Sequence, residues 1–215
     1  MKLNYKIFWR KSGLKGRWGE IYLSRLEKYK PKNFLEIGVF CGVTARNTCD
    51  YLFQVHGNDF HYTGIDLFGS HKKSRNNEIE PEFLRDQKFS NPFKNLYYNH
   101  IIKENLNSLD SVKKLLRRYK NNINLIAGDT NSVLHKVNLQ TVDFVFIDGG
   151  HSYETVMSDL TTLYQNLKGK NKILLCDDYG KASYIPEVEK AVNDFSKQKN
   201  LKINIIEDRF AEIII

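Results

Sequence analysis

Long apolar runs are missing from this sequence. None of its 215 residues belongs to an apolar stretch that approaches the roughly 18–20 residues needed to span a bilayer. The N-terminal stretch MKLNYKIFWRKSGLKGRWGE has charges scattered through its apolar residues, so the continuous apolar core of a secretory signal is missing as well. Both absences predict a cytoplasmic protein that does not insert into a membrane.

Cysteine is scarce, and the three cysteines are Cys41, Cys49 and Cys176. Their odd number and scattered spacing favour free thiols in a reducing compartment over disulfides or a zinc site. Internal repeats and low-complexity linkers are also missing. With 41% hydrophobic and 27% charged residues, the composition is that of a globular protein, and we expect one domain over residues 1–215.

The charge is unbalanced, with a formal net charge of +8 at pH 7. Such an excess fits an anionic partner, which could be a nucleic acid, a nucleotide-linked substrate or a membrane surface, or it is simply a solvated basic surface. The densest basic run, KKLLRRYK, favours the solvated surface. In a helix over about residues 104–120, its apolar residues fall on one face and its basic residues on the opposite face.

Apolar strands alternate with amphipathic helices along the chain. A helix is predicted over about residues 17–30, ending before Pro31. The predicted strands are NFLEIGVF, FHYTGIDLF, INLIAGD, VDFVFID, KILLCDD, KINIIED and AEIII. This alternation predicts an α/β fold, a Rossmann-like seven-stranded mostly parallel sheet with helices on both faces. The last two strands are too close for a crossover helix, so the final strand must be antiparallel.

The stretch over about residues 69–100 interrupts this pattern. It is irregular, and it is longer than connecting loops usually are. Its aromatic residues are Phe83, Phe89, Phe93, Tyr97 and Tyr98. They could close as a lid over a ring-shaped acceptor, form a small satellite core, or make the contact of a homo-oligomer.

Each of the first five strands ends in or beside an acidic residue. These residues are Glu36, Asp66, Asp129, Asp148 and the pair Asp177 and Asp178. Ligands of open α/β sheets bind outside the carboxyl ends of the strands, so we expect these acids to surround a ligand. After the first strand, ExGxxxGxT supplies Gly38 and Gly42, which let the backbone approach a ligand closely, and it places Thr44 at a helix N-terminus.

Asp66 ends the second strand at a position that suits a carboxylate binding both hydroxyls of a ribose. The loop before it is not the dinucleotide fingerprint GxGxxG, because Val39 and Phe40 fill the gap. Together, the glycine loop, Asp66 and the antiparallel final strand indicate a site for a nucleoside.

The sequence resembles the class I S-adenosylmethionine-dependent methyltransferases in three segments. LEIGVFCGVT is similar to their first motif, YTGIDLF to the acidic second motif, and LIAGDTNSVL to the third-strand segment that borders the adenine. The resemblance covers residues 33–215 apart from the irregular stretch. It implies that S-adenosylmethionine is the cofactor.

The resemblance also implies a role for each candidate residue. The methionine portion of the cofactor would be lined by Glu36, Gly38, Gly42 and Thr44. Asp66 would hold the ribose, and Asp129 would lie near the adenine amino group. We also count Asp148 among the candidate cofactor-binding residues. Two simpler interpretations stay open, since Gly38 could serve only a turn at the strand end and Asp129 could cap a helix.

Asp148, Asp177 and Asp178 end two strands that are neighbours in this fold. Three converging carboxylates repel one another strongly unless a cation lies between them. Oxygen ligands without a cysteine or histidine cluster suit Mg²⁺ or another hard divalent cation. Alternatively, one or two of these aspartates cap helices or bind the substrate without a metal.

FIDGGHSYETVMSDL and ILLCDDY resemble a narrower group, the small metal-dependent O-methyltransferases of the catechol and macrolide-sugar types. The resemblance implies that these three aspartates hold the metal and that His151 is the catalytic base. The catechol type has a lysine at this position and the macrolide-sugar type a histidine, so His151 favours the sugar type. His151 could instead cap the helix that starts at Ser152.

These patterns predict an S-adenosylmethionine-dependent enzyme that methylates a hydroxyl of a small-molecule or saccharide acceptor. The first alternative is a nucleic-acid methyltransferase, which the net charge favours and which the missing Asn-Pro-Pro-Tyr or Asp-Pro-Pro-Tyr motif disfavours. The second alternative is a cofactor-binding Rossmann-like protein without catalysis. The acidic triad beside His151 disfavours it, because a protein that only binds has no need of these residues.

Overall fold

The computed structural model describes residues 4–69, 89–169, 171–182 and 185–215. Its strands are β1 (Asn33–Ile37), β2 (His61–Asp66), β3 (Ile123–Ala127), β4 (Phe144–Ile147), β5 (Ile173–Cys176), β6 (Ile203–Ile206) and β7 (Phe210–Ile214). Its α-helices are α1 (Arg17–Tyr29), α2 (Val43–His56), α3 (Pro92–Asn95), α4 (Leu109–Leu115), α5 (Thr130–Val133), α6 (Tyr153–Leu167) and α7 (Pro186–Lys199).

The seven strands form one sheet in the order β3-β2-β1-β4-β5-β7-β6. Strands β1 to β5 pair in parallel, and β7 is antiparallel to both of its neighbours, β5 and β6. The prediction of a Rossmann-like sheet with an antiparallel final strand is therefore confirmed. The strand order reverses between β1 and β4, which is where such sheets bind their ligands.

The central strands are buried on both faces because their side chains alternate between two cores. In β4, Val145 and Ile147 pack into the core that α6 and α7 cover, while Phe144 and Phe146 pack into the core that α1 and α2 cover. All three cysteines are buried free thiols, as their spacing predicts. In the described part of the chain, no helix is both long and apolar enough to cross a bilayer.

Helix α4 is shorter than the sequence predicts. It begins after Ser108, whose Oγ accepts the N–H of Ser111 at 3.2 Å, and it gives way to a 3₁₀ turn over Arg117–Tyr119. A serine in this capping position fixes a helix start, so residues 104–107 lie outside the helix. The predicted division of its faces is correct, because Val112 and Leu116 are buried and the four basic residues between positions 113 and 118 are exposed.

The described part of the stretch predicted to be irregular is helical after residue 91. Asn91 caps α3 by accepting the N–H of Phe93 at 2.9 Å, and Pro92 occupies the first helical position, where a missing N–H does no harm. A π-helix over Leu96–Ile101 follows directly.

Tyr98 of this π-helix supports the satellite-core interpretation. It is buried together with Cys41 and Leu106, and Phe89 and Tyr97 pack against this small cluster. The remaining predicted aromatic residues divide into Phe93, which is exposed, and Phe83, which lies outside the described residues.

Residues 4–16, which we call the N-terminal arm, are fastened to the domain by Arg10. Its buried guanidinium donates to the carbonyl oxygens of Cys41 at 3.2 Å and Leu106 at 3.0 Å. It also donates to the carbonyl and hydroxyl oxygens of Ser111 at 3.1 and 2.9 Å. The carboxylate of Glu104 lies 3.6 Å away and balances its charge. One side chain thus joins the arm, the loop after β1 and the start of α4.

We predict that Arg10→Met lowers the free energy of unfolding by about 2–4 kcal/mol, because charge-assisted hydrogen bonds to buried acceptors are lost. Arg17→Met is the matched control. Arg17 pairs with Glu207 on the surface, with 68% of its side chain exposed, so its loss should change stability by less than about 1 kcal/mol. Urea denaturation followed by circular dichroism measures both values, and equal losses would contradict the anchoring role of Arg10.

Candidate active site

The ends of β1 and β4 meet at a glycine. Gly38 follows β1 with a φ of +90°, and a Cβ there would lie 1.8 Å from the carbonyl oxygen of Asp148, the residue that follows β4. Only glycine permits so close an approach. Gly38 therefore serves the contact between two loops of the protein, and its predicted contact with the cofactor stays a prediction.

Asp148, His151 and Asp178 form a group that we call the acidic cluster. One potential ligand atom from each residue lies within 4.8 Å of the other two. Strands β4 and β5 are neighbours, so Asp148 and Asp178 follow adjacent strand ends. Nε2 of His151 lies 3.3 Å from Oδ2 of Asp178. Asp178 has a φ of +58°, a left-handed conformation in which aspartate is several-fold enriched among non-glycine residues.

The helix after β4 is capped by Ser152. Its Oγ accepts the N–H of Thr155 at 3.3 Å, and α6 begins at Tyr153. The capping role considered for His151 therefore belongs to Ser152. The imidazole of His151 contributes to the acidic cluster, with 31% of its side chain exposed, so solvent reaches it.

Asp177 is placed differently from its two predicted companions. Its buried carboxylate accepts two hydrogen bonds from Arg209, from Nε at 2.7 Å and from Nη2 at 2.8 Å. Arg209 also lies 3.8 Å from Oδ1 of Asp178. Of the three predicted metal ligands, the structure gathers Asp148 and Asp178, adds His151, and pairs Asp177 with an arginine. A metal role for Asp177 stays a prediction and requires an oxygen lone pair that Arg209 does not use.

The acidic cluster fits a hard divalent cation by charge and by donor type. Burial raises the pKa of Asp148 well above its usual range, and the charges of Asp177 and Asp178 raise it further. Negative charge is therefore crowded here beyond what Arg209 compensates. Carboxylate oxygens are the ligands that Mg²⁺ and Mn²⁺ prefer, and a cation would relieve this repulsion.

Glu36 lies inside the sheet near its carboxyl edge and is fully buried. Its Oε2 accepts the hydroxyl of Tyr62 at 2.7 Å, whereas Oε1 is buried without a hydrogen-bond partner among the described residues. Burial raises the pKa of Glu36 to about 8. A buried acceptor that lacks a donor suits a ligand ammonium, which S-adenosylmethionine carries on its methionine portion.

Asp66 links the end of β2 to the glycine loop. Its Oδ2 accepts the N–H of Phe40 at 2.8 Å, and its Oδ1 accepts the N–H of Phe68 at 2.7 Å. Burial raises its pKa, and these backbone hydrogen bonds counteract part of that shift. Each oxygen keeps a second lone pair, so the arrangement is compatible with the predicted binding of ribose hydroxyls.

The three remaining candidates also have partners within the protein. Gly42 caps α2 with a φ of +75°, and the hydroxyl of Thr44 in the first turn lies 2.9 Å from that of Tyr5. Asp129 is exposed and caps α5 by accepting the N–H of Asn131 at 2.8 Å. The helix-cap interpretation of Asp129 therefore describes the structure, and its contact with adenine stays a prediction.

The N-terminal arm reaches the site, which the sequence did not indicate. The hydroxyls of Tyr5 and Ser12 lie 3.2 Å apart, and a Cβ at Gly13 would lie 3.9 Å from Oδ2 of Asp148. The arm carries neither a periodic pattern nor a motif. Arg209 was also missed, although the need of a buried acidic pair for a cation could have pointed to the basic residue in the last turn.

A family model described as a methyltransferase domain matches residues 35–179. The match runs from β1 to the residue after the acidic pair that follows β5, and thus spans about two thirds of the chain. The chain belongs to this methyltransferase family. The prediction that the protein is a class I S-adenosylmethionine-dependent methyltransferase is confirmed.

Solved structures share the fold of this methyltransferase at low sequence identity. The O-methyltransferase NovP is 15% identical with a TM-score of 0.63, over 95% of this chain and 84% of NovP. The methyltransferase PaMTH1 of Podospora anserina, bound to S-adenosylhomocysteine, is 14% identical with a TM-score of 0.58, over 93% and 79%. The TDP-rhamnose 3'-O-methyltransferase CalS11 of calicheamicin biosynthesis is 17% identical with a TM-score of 0.58, over 93% and 81%. None of the curated proteins matches the sequence.

The pKa of Glu36 makes cofactor binding measurable through proton release. A carboxyl group with a pKa of about 8 is protonated at pH 7, and an ammonium placed against Oε1 would favour its ionised form. We therefore expect binding of S-adenosylhomocysteine at pH 7 to release close to one proton. Calorimetry in buffers of different ionisation enthalpy measures this release, and Glu36→Gln should abolish it. Binding by the wild type without proton release would contradict the assignment of Glu36.

The same shift sets the sign of a stability effect in the free enzyme. The folded protein retains this proton up to about pH 8, whereas an unfolded chain loses it near the ordinary value of 4.5. The free energy of unfolding should therefore fall as the pH rises between these two values, and Glu36→Gln should flatten that part of the pH profile.

Proposed function

We propose that this methyltransferase transfers the methyl group of S-adenosylmethionine to a hydroxyl oxygen of a small-molecule or saccharide acceptor, assisted by a hard divalent cation. The proximity of Asp148, His151 and Asp178 at the switch point of the sheet carries this proposal. The fold is shared with NovP, an O-methyltransferase, and with an enzyme that methylates a rhamnose hydroxyl, which supports a hydroxyl acceptor.

The chain's own residues provide a place for each end of the cofactor. S-adenosylmethionine, when bound, supplies a methyl group on a positively charged sulfur. Glu36 offers Oε1 to its ammonium, and Asp66 offers both oxygens to its ribose. Gly38 and Gly42 keep the loop between these two acids free of side chains, so that the backbone lies close to the ligand.

A hydroxyl is a poor nucleophile, so the site must hold it in line with the methyl group and remove its proton. Asp148 and Asp178 would hold the cation, which supplies Lewis-acid activation of the acceptor oxygen. His151 accepts the acceptor proton. The carboxylate of Asp178, 3.3 Å from Nε2, stabilises the imidazolium that forms, and the partly exposed ring then releases the proton to solvent.

The cation can be tested without knowledge of the acceptor. We expect Mn²⁺ to bind the purified protein and Asp148→Asn or Asp178→Asn to weaken this binding by about tenfold or more, since a charged ligand is lost from each. Asp110→Asn, at an exposed position of α4, is the matched control and should bind Mn²⁺ like the wild type.

Electron paramagnetic resonance of free Mn²⁺ measures these affinities. S-adenosylhomocysteine affinity should stay within about twofold in Asp178→Asn and Asp110→Asn, which separates loss of the cation from loss of the cofactor. Methyl transfer to a panel of hydroxyl-bearing acceptors should stop on chelation and resume with Mg²⁺ or Mn²⁺. Full turnover in chelator would show that the aspartates position the acceptor directly.

His151 can be either a base or a ligand, because it lies within the acidic cluster. As a base, it predicts that His151→Ala lowers kcat by about 10²–10⁴-fold, with Mn²⁺ and S-adenosylhomocysteine affinities close to those of the wild type. A parallel loss of Mn²⁺ affinity would make His151 a metal ligand, and full activity would leave it a turn residue.

A further inference from the structure

Trp9 is a large aromatic side chain held at the surface. It is 44% exposed, and its ring centroid lies 5.2 Å from that of Tyr97 and 5.7 Å from that of Tyr98. Phe8 and Trp9 both have left-handed backbone conformations, with φ of 46° and 60°, which bulky side chains rarely adopt. The next residue, Arg10, is buried and hydrogen-bonded to the domain, so the backbone directly after Trp9 is anchored.

Two lysine side chains lie over aromatic rings in this region. Nζ of Lys94 lies 5.6 Å from the ring centroid of Trp9, and Nζ of Lys11 lies 5.2 Å from that of Phe89. Burial lowers the pKa of Lys94, and the charge of Lys15 lowers it further. Within the described ranges, neither Lys15 nor Lys94 forms an ion pair. We define the aromatic–lysine patch as Trp9, Phe89, Tyr97, Lys11, Lys15 and Lys94.

The patch adjoins the acidic cluster through the N-terminal arm. Lys11 and Lys15 lie two residues to either side of Gly13, whose Cβ position is 3.9 Å from Oδ2 of Asp148. Trp9 is four residues from Gly13, so their Cα atoms are at most about 14 Å apart. Tyr97 and Phe89 of the patch also pack against the small cluster that contains Cys41, a residue of the loop after β1.

We propose that the aromatic–lysine patch binds the diphosphate and the base of a nucleoside-diphosphate-linked acceptor. This assignment rests on the proposed hydroxyl methylation, since the acceptor hydroxyl is the group that must reach His151. The ammonium groups of Lys15 and Lys94 pair with the phosphates, and the base stacks on Trp9. Stacking of a base on an aromatic side chain is sequence-tolerant and adds to the affinity that the phosphate contacts provide.

Charge orients such a ligand. Phosphates are repelled by the acidic cluster and attracted to the lysines, so they bind at the patch, and the uncharged sugar beyond them extends toward Asp148 and His151. A nucleic acid would need a track of basic groups for successive phosphates. Among the described residues, a run of exposed lysines and arginines lies instead on α4 and the turn after it, at residues 113–118.

UDP is the probe for this site, and calorimetry with the purified protein is the measurement. We expect Lys15→Glu and Lys94→Glu each to weaken UDP binding by about tenfold or more. Lys113→Glu carries the same charge change on the exposed face of α4 and should leave the UDP affinity within about twofold of the wild type. Trp9→Ala should weaken UDP binding by about tenfold but leave pyrophosphate binding unchanged, because only the base stacks.

S-adenosylhomocysteine binding, measured on the same samples, should be unchanged in all four variants and shows that each is folded. The proposal is overturned if wild-type protein does not bind UDP, or if Lys113→Glu weakens binding as much as Lys15→Glu does. It is also overturned if a single-stranded oligonucleotide binds the patch more tightly than UDP. These measurements need no turnover, so failure of the proposed methylation would be seen separately, as retained UDP binding without methyl transfer to any hydroxyl.

Discussion

The contact between Gly38 and the backbone of Asp148 joins the two halves of the site. A side chain at Gly38 would meet the Asp148 carbonyl, and a side chain at Gly149 would meet Ile37 from the other side, 2.8 Å from its Cγ2. Both loops therefore have a glycine, Gly38 or Gly149, where their backbones approach each other. Without this close contact, the end of β1, which carries Glu36, and the end of β4, which carries Asp148, would be held farther apart. Gly38 of the ExGxxxGxT pattern is thus required by the packing of the protein itself, whether or not a ligand is bound.

The contact between these loops brings several carboxylates together. Part of their negative charge is balanced by Arg209, which lies in the turn before the antiparallel strand β7. The turn between β6 and β7 packs on the segment after β5, where Tyr179 donates its N–H to the carbonyl of Arg209 at 2.8 Å. The same turn carries the guanidinium that binds Asp177 in a bidentate pair. Removing that guanidinium would leave an uncompensated buried carboxylate beside two others. The topology of the sheet is therefore also an electrostatic arrangement, in which β7 brings one fixed cation to the acidic edge.

Much of this architecture could be predicted from the sequence because buried parallel strands are continuous apolar runs, and an acid at their end is conspicuous. The runs ending at Ile147 and Cys176 are of this kind. What escaped prediction depends on contacts distant in sequence. Asp177 and Arg209 are separated by 32 residues and Arg10 and Ser111 by 101, so no local pattern could pair them. The predicted start of α4 near residue 104 is wrong for a local reason, because Ser108 caps the helix and fixes its start at Leu109.

The N-terminal arm shows how such distant contacts position a segment that has no sequence motif. Two consecutive left-handed residues cost on the order of 1–2 kcal/mol each. Arg10 offsets that cost through four hydrogen bonds that its guanidinium makes with Cys41, Leu106 and Ser111. Tyr5, five residues earlier, lies against the start of α2 through Thr44, and Gly13, three residues later, lies beside Asp148. Because one anchor holds all of these positions, the arm sets α2, the acidic cluster and the exposed ring of Trp9 in a fixed relation.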